Sequence, residues 1–260
     1  DKLRNDTVMV FNGDVLSGMD LEGILTTHHD KDADVTMHLL NVADPRAFGC
    51  VPTDSNGRVT AFLEKTEDPP TNQINAGCYV FKRSVIESIP ADRVVSVERE
   101  TFPGLLAEGR LVVGHVDNSY WRDMGRPDDF TRGSSDLVRG IAPSPLIEGK
   151  TGESLVDPSA GIAGGVLLLS GTAVGRGSEV GAGSRLEGTV VFDGVRIEPG
   201  AIIHNSIIAS GAHIGANAVI ENCVIGEGAH IGARCELLDG MRVFPGVSIP
   251  DAGVRFSSDA

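Results

Sequence analysis

Two short segments of the sequence, FLEK and INAG, carry the residues best suited to holding a polar ligand. Lys65 offers a compact positive charge for a phosphate, and Glu64 beside it offers acceptors for sugar hydroxyls. Asn75 supplies both a donor and an acceptor, and Gly77 would let a ligand come close to the backbone. A surface ion pair is the commoner role of a Glu-Lys dipeptide, but together the two segments predict an anion contact and a sugar contact beside one loop.

Two aspartates occupy strand ends. Asp14 closes the apolar run TVMVFNGD, and Asp123 follows the strand-like YWR. The carboxyl end of a strand in an open α/β sheet is where ligands bind, and Mg²⁺ commonly takes one or two carboxylates together with phosphate oxygens. A strand-ending turn is the common alternative for Asp14, and sequence spacing does not show whether the two aspartates meet. The residues therefore admit a shared magnesium ion without requiring one.

Strand and helix signals alternate through the first half of the chain. Runs rich in β-branched residues predict strands at TVMVFNGD, DVTMHLLNV, INAGCYVFK and RLVVGHV. Helical spacing predicts helices in DLEGILTTHHDKDA, RSVIESIP and SVERETFPGLLAEG, the last interrupted by its proline. The segment FGCVPTDSNGRVTAFLEK predicts a hairpin that turns at Asn56-Gly57. This alternation predicts a layered α/β domain.

The second half has a different pattern. It contains most of the 33 glycines, and an aliphatic residue recurs in it about every six positions. Three interleaved series share a 17-residue period: Val174, Val191, Ile208 and Ile225; Val180, Ile197, Ile214 and Ile231; and Leu186, Ile203, Ile220 and Leu237. Three faces per coil, each placing one aliphatic side chain in a narrow core with Gly, Asn and Asp at the corners, explain this period. The pattern predicts a left-handed parallel β-helix of hexapeptide repeats. The series breaks at Arg242, so the last coil is expected to be irregular.

Composition sets the expected domain limits. The segment GIAPSPLIEGKTGE is rich in proline and glycine and predicts a linker. Residues 1–139 are expected to form the α/β domain, residues 140–155 the linker and residues 156–260 the β-helix. A chain of 260 residues is long enough for two such domains.

Charge and cysteine content argue against several classes of function. The chain has 22 basic and 36 acidic residues, a net charge of −14, and neither half is basic, so binding to nucleic acid or an anionic membrane is not expected. No apolar run approaches the ~20 residues that a membrane helix needs, and no secretory leader is recognisable. The four cysteines include no Cys-x-x-Cys pair, so a zinc site is not indicated. We expect a cytoplasmic protein with reduced thiols.

The ordered motifs resemble those of the nucleotidyltransferases that make NDP-sugars. The resemblance rests on FNGD, on FGCV with the Asp54 and Gly57 that follow it, on FLEK, INAG and YWRDMG, and on the β-helix tail. It covers essentially the whole chain, and within the family it is greatest to the mannose-1-phosphate guanylyltransferases of actinobacteria. It implies an incomplete Rossmann-like nucleotidyltransferase domain followed by the left-handed β-helix.

The same resemblance implies roles for individual residues. It implies that Asp14 and Asp123 hold a catalytic Mg²⁺ and that Lys65 contacts the sugar-1-phosphate. The residues that it places around the sugar are Gly49, Glu64, Asn75 and Gly77. The implied reaction joins GTP and mannose-1-phosphate to form GDP-mannose and pyrophosphate by in-line attack on the α-phosphorus. The implied partners are a sugar-1-phosphate, a nucleoside triphosphate and further copies of the chain, bound through the β-helix.

One departure from the family carries an expectation of its own. The family opens with a segment of the form G-x-G-T-R-L-x-P-L-T that cradles the triphosphate, and this sequence does not contain it. We therefore expect the 260-residue chain, as N-terminally truncated, to be inactive by itself. The alternatives are a glucose-1-phosphate thymidylyl-, uridylyl- or adenylyltransferase, a non-catalytic regulatory subunit of the same fold, and a hexapeptide acyltransferase. The last would use a β-helix histidine such as His213 or His230, for which an outward corner position is the simpler interpretation.

Overall fold

The chain forms two compact units, Asp1–Trp121 and Arg122–Ala260. The structure, a computed structural model, describes residues 3–63, 65, 67–147, 149 and 151–255. The domain limits expected from composition, at residues 139 and 155, stay a prediction.

The first unit is a mixed sheet with short helices. In chain order its elements are β1 (Thr7–Phe11), β2 (Val15–Ser17), α1 (Leu21–Asp30), β3 (Val35–Asn41), β4 (Gln73–Lys82), α2 (Arg83–Glu87), a π-helical turn (Val97–Thr101), α3 (Phe102–Ala107) and β5 (Val112–Val116). The strand order is β1-β4-β3-β5, with β4 antiparallel to both of its neighbours and β3 parallel to β5. The α/β architecture expected from the alternation of strand and helix signals is therefore confirmed.

Strand β3 is the centre of this unit because it lies between β4 and β5 and is buried almost from end to end. Val35, Met37 and Leu39 share one face and pack in a core cluster that includes Phe102 of α3. Pro103 lies in the first turn of α3, where its missing N–H is not needed. The proline thus divides the predicted helical segment into the π-helical turn and α3.

The predicted hairpin between β3 and β4 is present, but its turn lies one residue earlier than expected. Gly57 N donates to Asp54 O at 3.0 Å, so the central turn residues are Ser55 and Asn56. Gly57 follows them with a φ of +79°, a conformation that glycine adopts without a steric cost. The prediction of a two-residue Asn-Gly turn was wrong because a turn followed by one left-handed residue also satisfies this hairpin.

Two histidines, His28 of α1 and His38 of β3, are buried in the first unit. Nδ1 of His28 is 3.0 Å from Oγ1 of Thr36, and Nε2 of His38 is 3.1 Å from the carbonyl oxygen of Asp117. Nδ1 of His38 has no hydrogen-bond partner in the described part of the chain. Burial lowers the pKa of both histidines below 6.5, since a charged imidazole is poorly solvated in the interior.

We expect the protein to lose stability as the pH falls below about 6.5, the ordinary pKa of histidine. Below that pH the unfolded chain binds protons at His28 and His38 that the folded chain, with its lowered pKa values, does not yet bind. The stability present at neutral pH is therefore lost on acidification. Urea unfolding at pH 7.5 and 5.5, followed by the fluorescence of the sole tryptophan, measures this loss. His28→Gln should reduce the difference between the two midpoints, and equal midpoints in the unmodified protein would contradict the prediction.

The second unit contains a helix and a three-faced parallel β-solenoid of about six coils. Strand β6 (Trp121–Asp123) spans the boundary between the two units and leads to α4 (Pro127–Val138). Face 1 consists of Ser154–Val156, Thr172–Val174, Val190–Val191, Ile207–Ile208, Val224–Ile225 and Arg242–Val243; face 2 of Gly161–Ile162, Glu179–Val180, Arg196–Ile197, His213–Ile214, His230–Ile231 and Ser248–Ile249; face 3 of Leu167–Leu169, Arg185–Glu187, Ile202–His204, Val219–Glu221 and Glu236–Leu237.

The three aliphatic series form the columns of the solenoid core, as the sequence predicted. Parallel pairing places Val174, Val191 and Ile208 in register on face 1, and the other two series align in the same way. The expected irregularity of the last coil is one extra residue in a corner, so that Val243 rather than Arg242 pairs with Ile225. The core column continues because the insertion is absorbed outside the strands.

Helix α4 packs on the first coils of the solenoid. The rings of Phe130 and Phe192 stack with centroids 6.3 Å apart, and Ser135 Oγ donates to Ser170 O at 2.8 Å. Gly171 has a φ of +75°, and a Cβ at this position would lie 2.5 Å from Ser135 Oγ. Only glycine therefore lets the helix approach this corner.

Candidate active site

A cleft of about 420 Å³ lies in the first unit beside the hairpin and β4. It is lined by Phe48, Gly49, Cys50, Val51, Phe62, Leu63, Asn75, Glu98, Arg99 and Pro103. Cys50 and Leu63 exchange two backbone hydrogen bonds of 3.0 and 2.9 Å, and Val51 N donates to Gln73 O at 2.9 Å. These bonds bring three segments that are distant in the sequence to one wall. The lining combines apolar side chains with the polar groups of Asn75, Glu98 and Arg99, and polar groups of this kind orient the ligand in small-molecule sites.

Asn75 is held in one orientation on this wall. Its Nδ2 donates to the hydroxyl of Tyr79 and to Oε1 of Glu98, both at 2.7 Å, and its Oδ1 accepts from Gly77 N at 3.1 Å. Burial raises the pKa of Tyr79 to about 12, so the phenol stays protonated at neutral pH. The three hydrogen bonds thus hold the amide in one orientation.

The structure gives a reason for glycine at position 77 that the sequence did not reveal. Its φ is +78°, and a Cβ at this position would lie 2.9 Å from Nδ2 of Asn12. Asn12 N also donates to Gly77 O at 2.7 Å. The glycine therefore lets the segment that leads to Asp14 lie directly against β4. Gly77 is absent from the lining of the cleft, and its contact with a sugar stays a prediction.

The residues predicted to be catalytic are available to a ligand. Asp14 follows β1 and is exposed, Lys65 is exposed, and Asp123 ends β6 in a partly exposed position. Within the described residues, no hydrogen bond or ion pair engages any of these three side chains. Asp14 and Lys65 belong to the first unit and Asp123 to the second. Glu64, predicted to contact the sugar, lies outside the described residues.

The donor chemistry of Asp14 and Asp123 fits Mg²⁺. Both offer carboxylate oxygens that no donor among the described residues engages, and hard oxygen ligands are those that Mg²⁺ prefers. Across the ranges that the structure describes, no group of three or more His, Cys, Asp or Glu side chains could hold a metal ion. A cation bound by these aspartates would therefore complete its coordination with water or substrate oxygens, which is common for Mg²⁺.

Glu98 and Arg99 were missed as candidate site residues. They lie on the π-helical turn, whose Ser96 cap accepts a hydrogen bond from Arg99 N at 3.2 Å. The sequence pattern predicted a helix interrupted by Pro103, and the interruption was the only sign of an unusual backbone. Turns of this kind are frequent at functional sites.

Comparison with known proteins identifies the family. The sequence pattern of the family described as Nucleotidyl transferase matches residues 1–140. The chain belongs to the nucleotidyl transferase family. The pattern described as GMPPB C-terminal domain matches residues 150–254 of this nucleotidyl transferase, which covers the solenoid. The resemblance inferred from the ordered motifs is confirmed.

Individual relatives of this nucleotidyl transferase share a name. The mannose-1-phosphate guanylyltransferase of Mycobacterium tuberculosis is 65% identical over 99% of this chain and 72% of that protein. Mannose-1-phosphate guanylyltransferase 1 of Arabidopsis thaliana is 36% identical over 72% of this chain and 54% of its own length. The mannose-1-phosphate guanylyltransferase catalytic subunit beta of Drosophila melanogaster is 30% identical over 62% of this chain and 44% of its own length. The chain thus spans about half of the last two relatives.

No helix in the described ranges of this nucleotidyl transferase is both long and apolar enough to pass through a membrane.

Proposed function

We propose that the chain belongs to an enzyme that makes GDP-mannose and pyrophosphate from GTP and mannose-1-phosphate. The observation that carries this proposal is the 65% identity to the mycobacterial mannose-1-phosphate guanylyltransferase over 99% of the chain. In this reaction an oxygen of the sugar phosphate attacks the α-phosphorus of the nucleotide in line with the leaving pyrophosphate. Catalysis then depends on positioning the two substrates and neutralising charge.

The cleft beside β4 is proposed to hold the hexose. Phe48 and Phe62 offer apolar surface to the C–H faces of the sugar, and Gly49, with a φ of +77°, leaves its backbone open to the cleft. Asn75 is already oriented by Glu98, whose carboxylate can accept hydrogen bonds from sugar hydroxyls.

The phosphate side of the site is proposed to consist of Lys65, Asp14 and Asp123. The exposed ammonium of Lys65 contacts the sugar-1-phosphate, and the two carboxylates hold Mg²⁺. When bound, Mg²⁺ would neutralise charge on the α-phosphate and the leaving pyrophosphate. Within the first unit, Gly18, just after β2, donates its backbone N–H to Tyr120 O at 2.8 Å, so the segment that follows Asp14 is joined to the segment that leads to β6.

A substrate panel on the full-length gene product tests the proposal. Pyrophosphate release is measured with GTP, ATP, dTTP and UTP, each combined with mannose-1-phosphate and glucose-1-phosphate. The expected result is the highest kcat/KM for GTP with mannose-1-phosphate. Preference for another pair would assign a different NDP-sugar, and binding of GDP-mannose without turnover would favour the regulatory subunit. The same assay on the 260-residue chain tests the expectation that it is inactive by itself.

Glu98→Gln is expected to raise the KM for mannose-1-phosphate about tenfold, equivalent to about 1.4 kcal/mol. The substitution keeps the shape of the side chain but removes the charge that strengthens hydrogen bonds from sugar hydroxyls. The KM for GTP should change little. Glu108→Gln is the control, because Glu108 is exposed at the end of α3 and absent from the cleft lining. An unchanged KM for the sugar phosphate would remove Glu98 from the proposed site.

Association of copies through the solenoid is also a proposal. Leu167 is 48% exposed and Phe244 77% exposed, and apolar side chains of this size gain free energy when a partner covers them. Light scattering on the full-length protein, with and without Phe244→Ser, measures whether the oligomer depends on the last coil of the solenoid, which carries Phe244.

A further inference from the structure

Two histidines meet on the outer side of face 2 of the solenoid. His213 and His230 pair in register on adjacent coils, with their Nδ1 atoms 2.7 Å apart and their ring centroids 4.5 Å apart. His213 is partly exposed and His230 is exposed. The next residues in each strand, Ile214 and Ile231, are fully buried in the core. The strands that carry the two imidazoles are thus fixed at the spacing of a sheet, about 4.8 Å.

Glu198 determines which nitrogen of His213 carries the hydrogen. Nε2 of His213 is 3.2 Å from Oε1 of Glu198, and an ionised carboxylate can only accept, so Nε2 is the donor. In the neutral ring, Nδ1 then has a lone pair, which is directed at His230. Arg196 Nε donates to the same Glu198 oxygen at 3.0 Å, and this ion pair fixes the carboxylate and offsets the charge of the guanidinium.

We propose that His213 and His230 form a binding site for a divalent transition-metal ion such as Zn²⁺. Neutral imidazole nitrogen binds Zn²⁺ at about 2.0–2.1 Å. Two such bonds at angles between 90° and the tetrahedral value need nitrogens roughly 2.9–3.4 Å apart. The two Nδ1 atoms are now 2.7 Å apart, with the hydrogen between them on His230. They reach the longer separation by small rotations of the partly exposed His213 and the exposed His230, and His230 frees its Nδ1 lone pair by carrying its hydrogen on Nε2 instead.

Glu198 completes the second layer of this site. A ligating histidine commonly donates its other N–H to a carboxylate, which fixes the ring and makes the ligating nitrogen more basic. The contact between His213 and Glu198 has this form. The exposed side of the ion is open to water or to a ligand from another molecule.

The class of ion follows from the donor atoms. Imidazole favours Zn²⁺, Cu²⁺ and Ni²⁺, whereas Mg²⁺ prefers oxygen. The site therefore takes a different cation from the one proposed for Asp14 and Asp123. Acid should weaken binding, because a proton competes with the metal for each lone pair.

Calorimetric titration of Zn²⁺ into the full-length protein at neutral pH, with Mg²⁺ in excess, tests the proposal. The expected result is one Zn²⁺ per chain, with affinity reduced at least tenfold by His213→Ala or His230→Ala. Glu198→Ala should reduce it about tenfold, as loss of a carboxylate partner commonly does. His230→Gln keeps the size and polarity of the side chain and serves as a second variant if His230→Ala does not fold.

Two matched controls separate this site from adventitious binding. Ser248→Ala changes the residue in register with His230 on the next coil, and His29→Ala removes an exposed histidine of the first unit. Both should keep the affinity of the unmodified protein. Absence of binding by the unmodified protein, or equal affinity in His213→Ala, would overturn the proposal. Because the measurement is metal binding, its outcome is independent of which nucleotide sugar the enzyme makes.

Discussion

Replacing Asp14 with asparagine should lower the kcat/KM of the full-length protein about 10³-fold, which corresponds to about 4 kcal/mol of transition-state stabilisation. Asparagine keeps the shape of the side chain but loses the charge proposed to attract Mg²⁺. The fold should be unaffected, since Asp14 is exposed and none of the described residues forms a hydrogen bond or ion pair with its carboxylate. Pyrophosphate release at saturating Mg²⁺ measures the loss, and thermal unfolding checks the fold.

The companion variant Asp123→Asn tests whether the two aspartates hold one ion. If they do, each single variant already removes most of the metal's contribution, and the double variant should lose much less than the product of the two single losses. Multiplicative losses would contradict a shared ion. Asp30→Asn, at the exposed end of α1, is the control and should leave kcat/KM unchanged.

Lys65→Ala is expected to lower kcat/KM for mannose-1-phosphate about 10²-fold, or about 2.7 kcal/mol. The ammonium of Lys65 has no hydrogen-bond or ion-pair partner within the described ranges, so its loss leaves no buried charge unpaired. The effect should come from the lost contact with the substrate phosphate. Steady-state kinetics with the sugar phosphate varied at saturating GTP measures it.

Lys65→Arg distinguishes charge from geometry at the same position. Arginine keeps the positive charge but presents a planar fork rather than a point charge, so partial recovery of kcat/KM is expected. Lys31→Ala is the control, because Lys31 donates to Asn56 O at 2.8 Å and is absent from the cleft lining. If Lys65→Ala turned over at the rate of the unmodified protein, the proposal that Lys65 contacts the substrate phosphate would be wrong.

The solenoid could be predicted almost residue by residue from the sequence. Each coil contacts chiefly its neighbours, so the 17-residue spacing of side chains such as Ile197 and Ile214 translates directly into a column of the core. Strands β1, β3, β4 and β5 could likewise be predicted from the sequence, because a short run of β-branched residues is enough to indicate a buried strand. The break at Arg242 indicated the irregular coil, although only the strand pairing showed that Val243 takes over the column.

The walls of the cleft were decided by the tertiary structure alone. Glu98 reaches Asn75 across 23 residues, and Asn12 occupies the space over Gly77. Neither contact leaves a periodic trace in the sequence, since each depends on which chain segments the sheet brings side by side. Sequence could therefore name the groups able to bind phosphate, sugar and metal, whereas their hydrogen-bond partners and burial follow from long-range packing that no local pattern encodes.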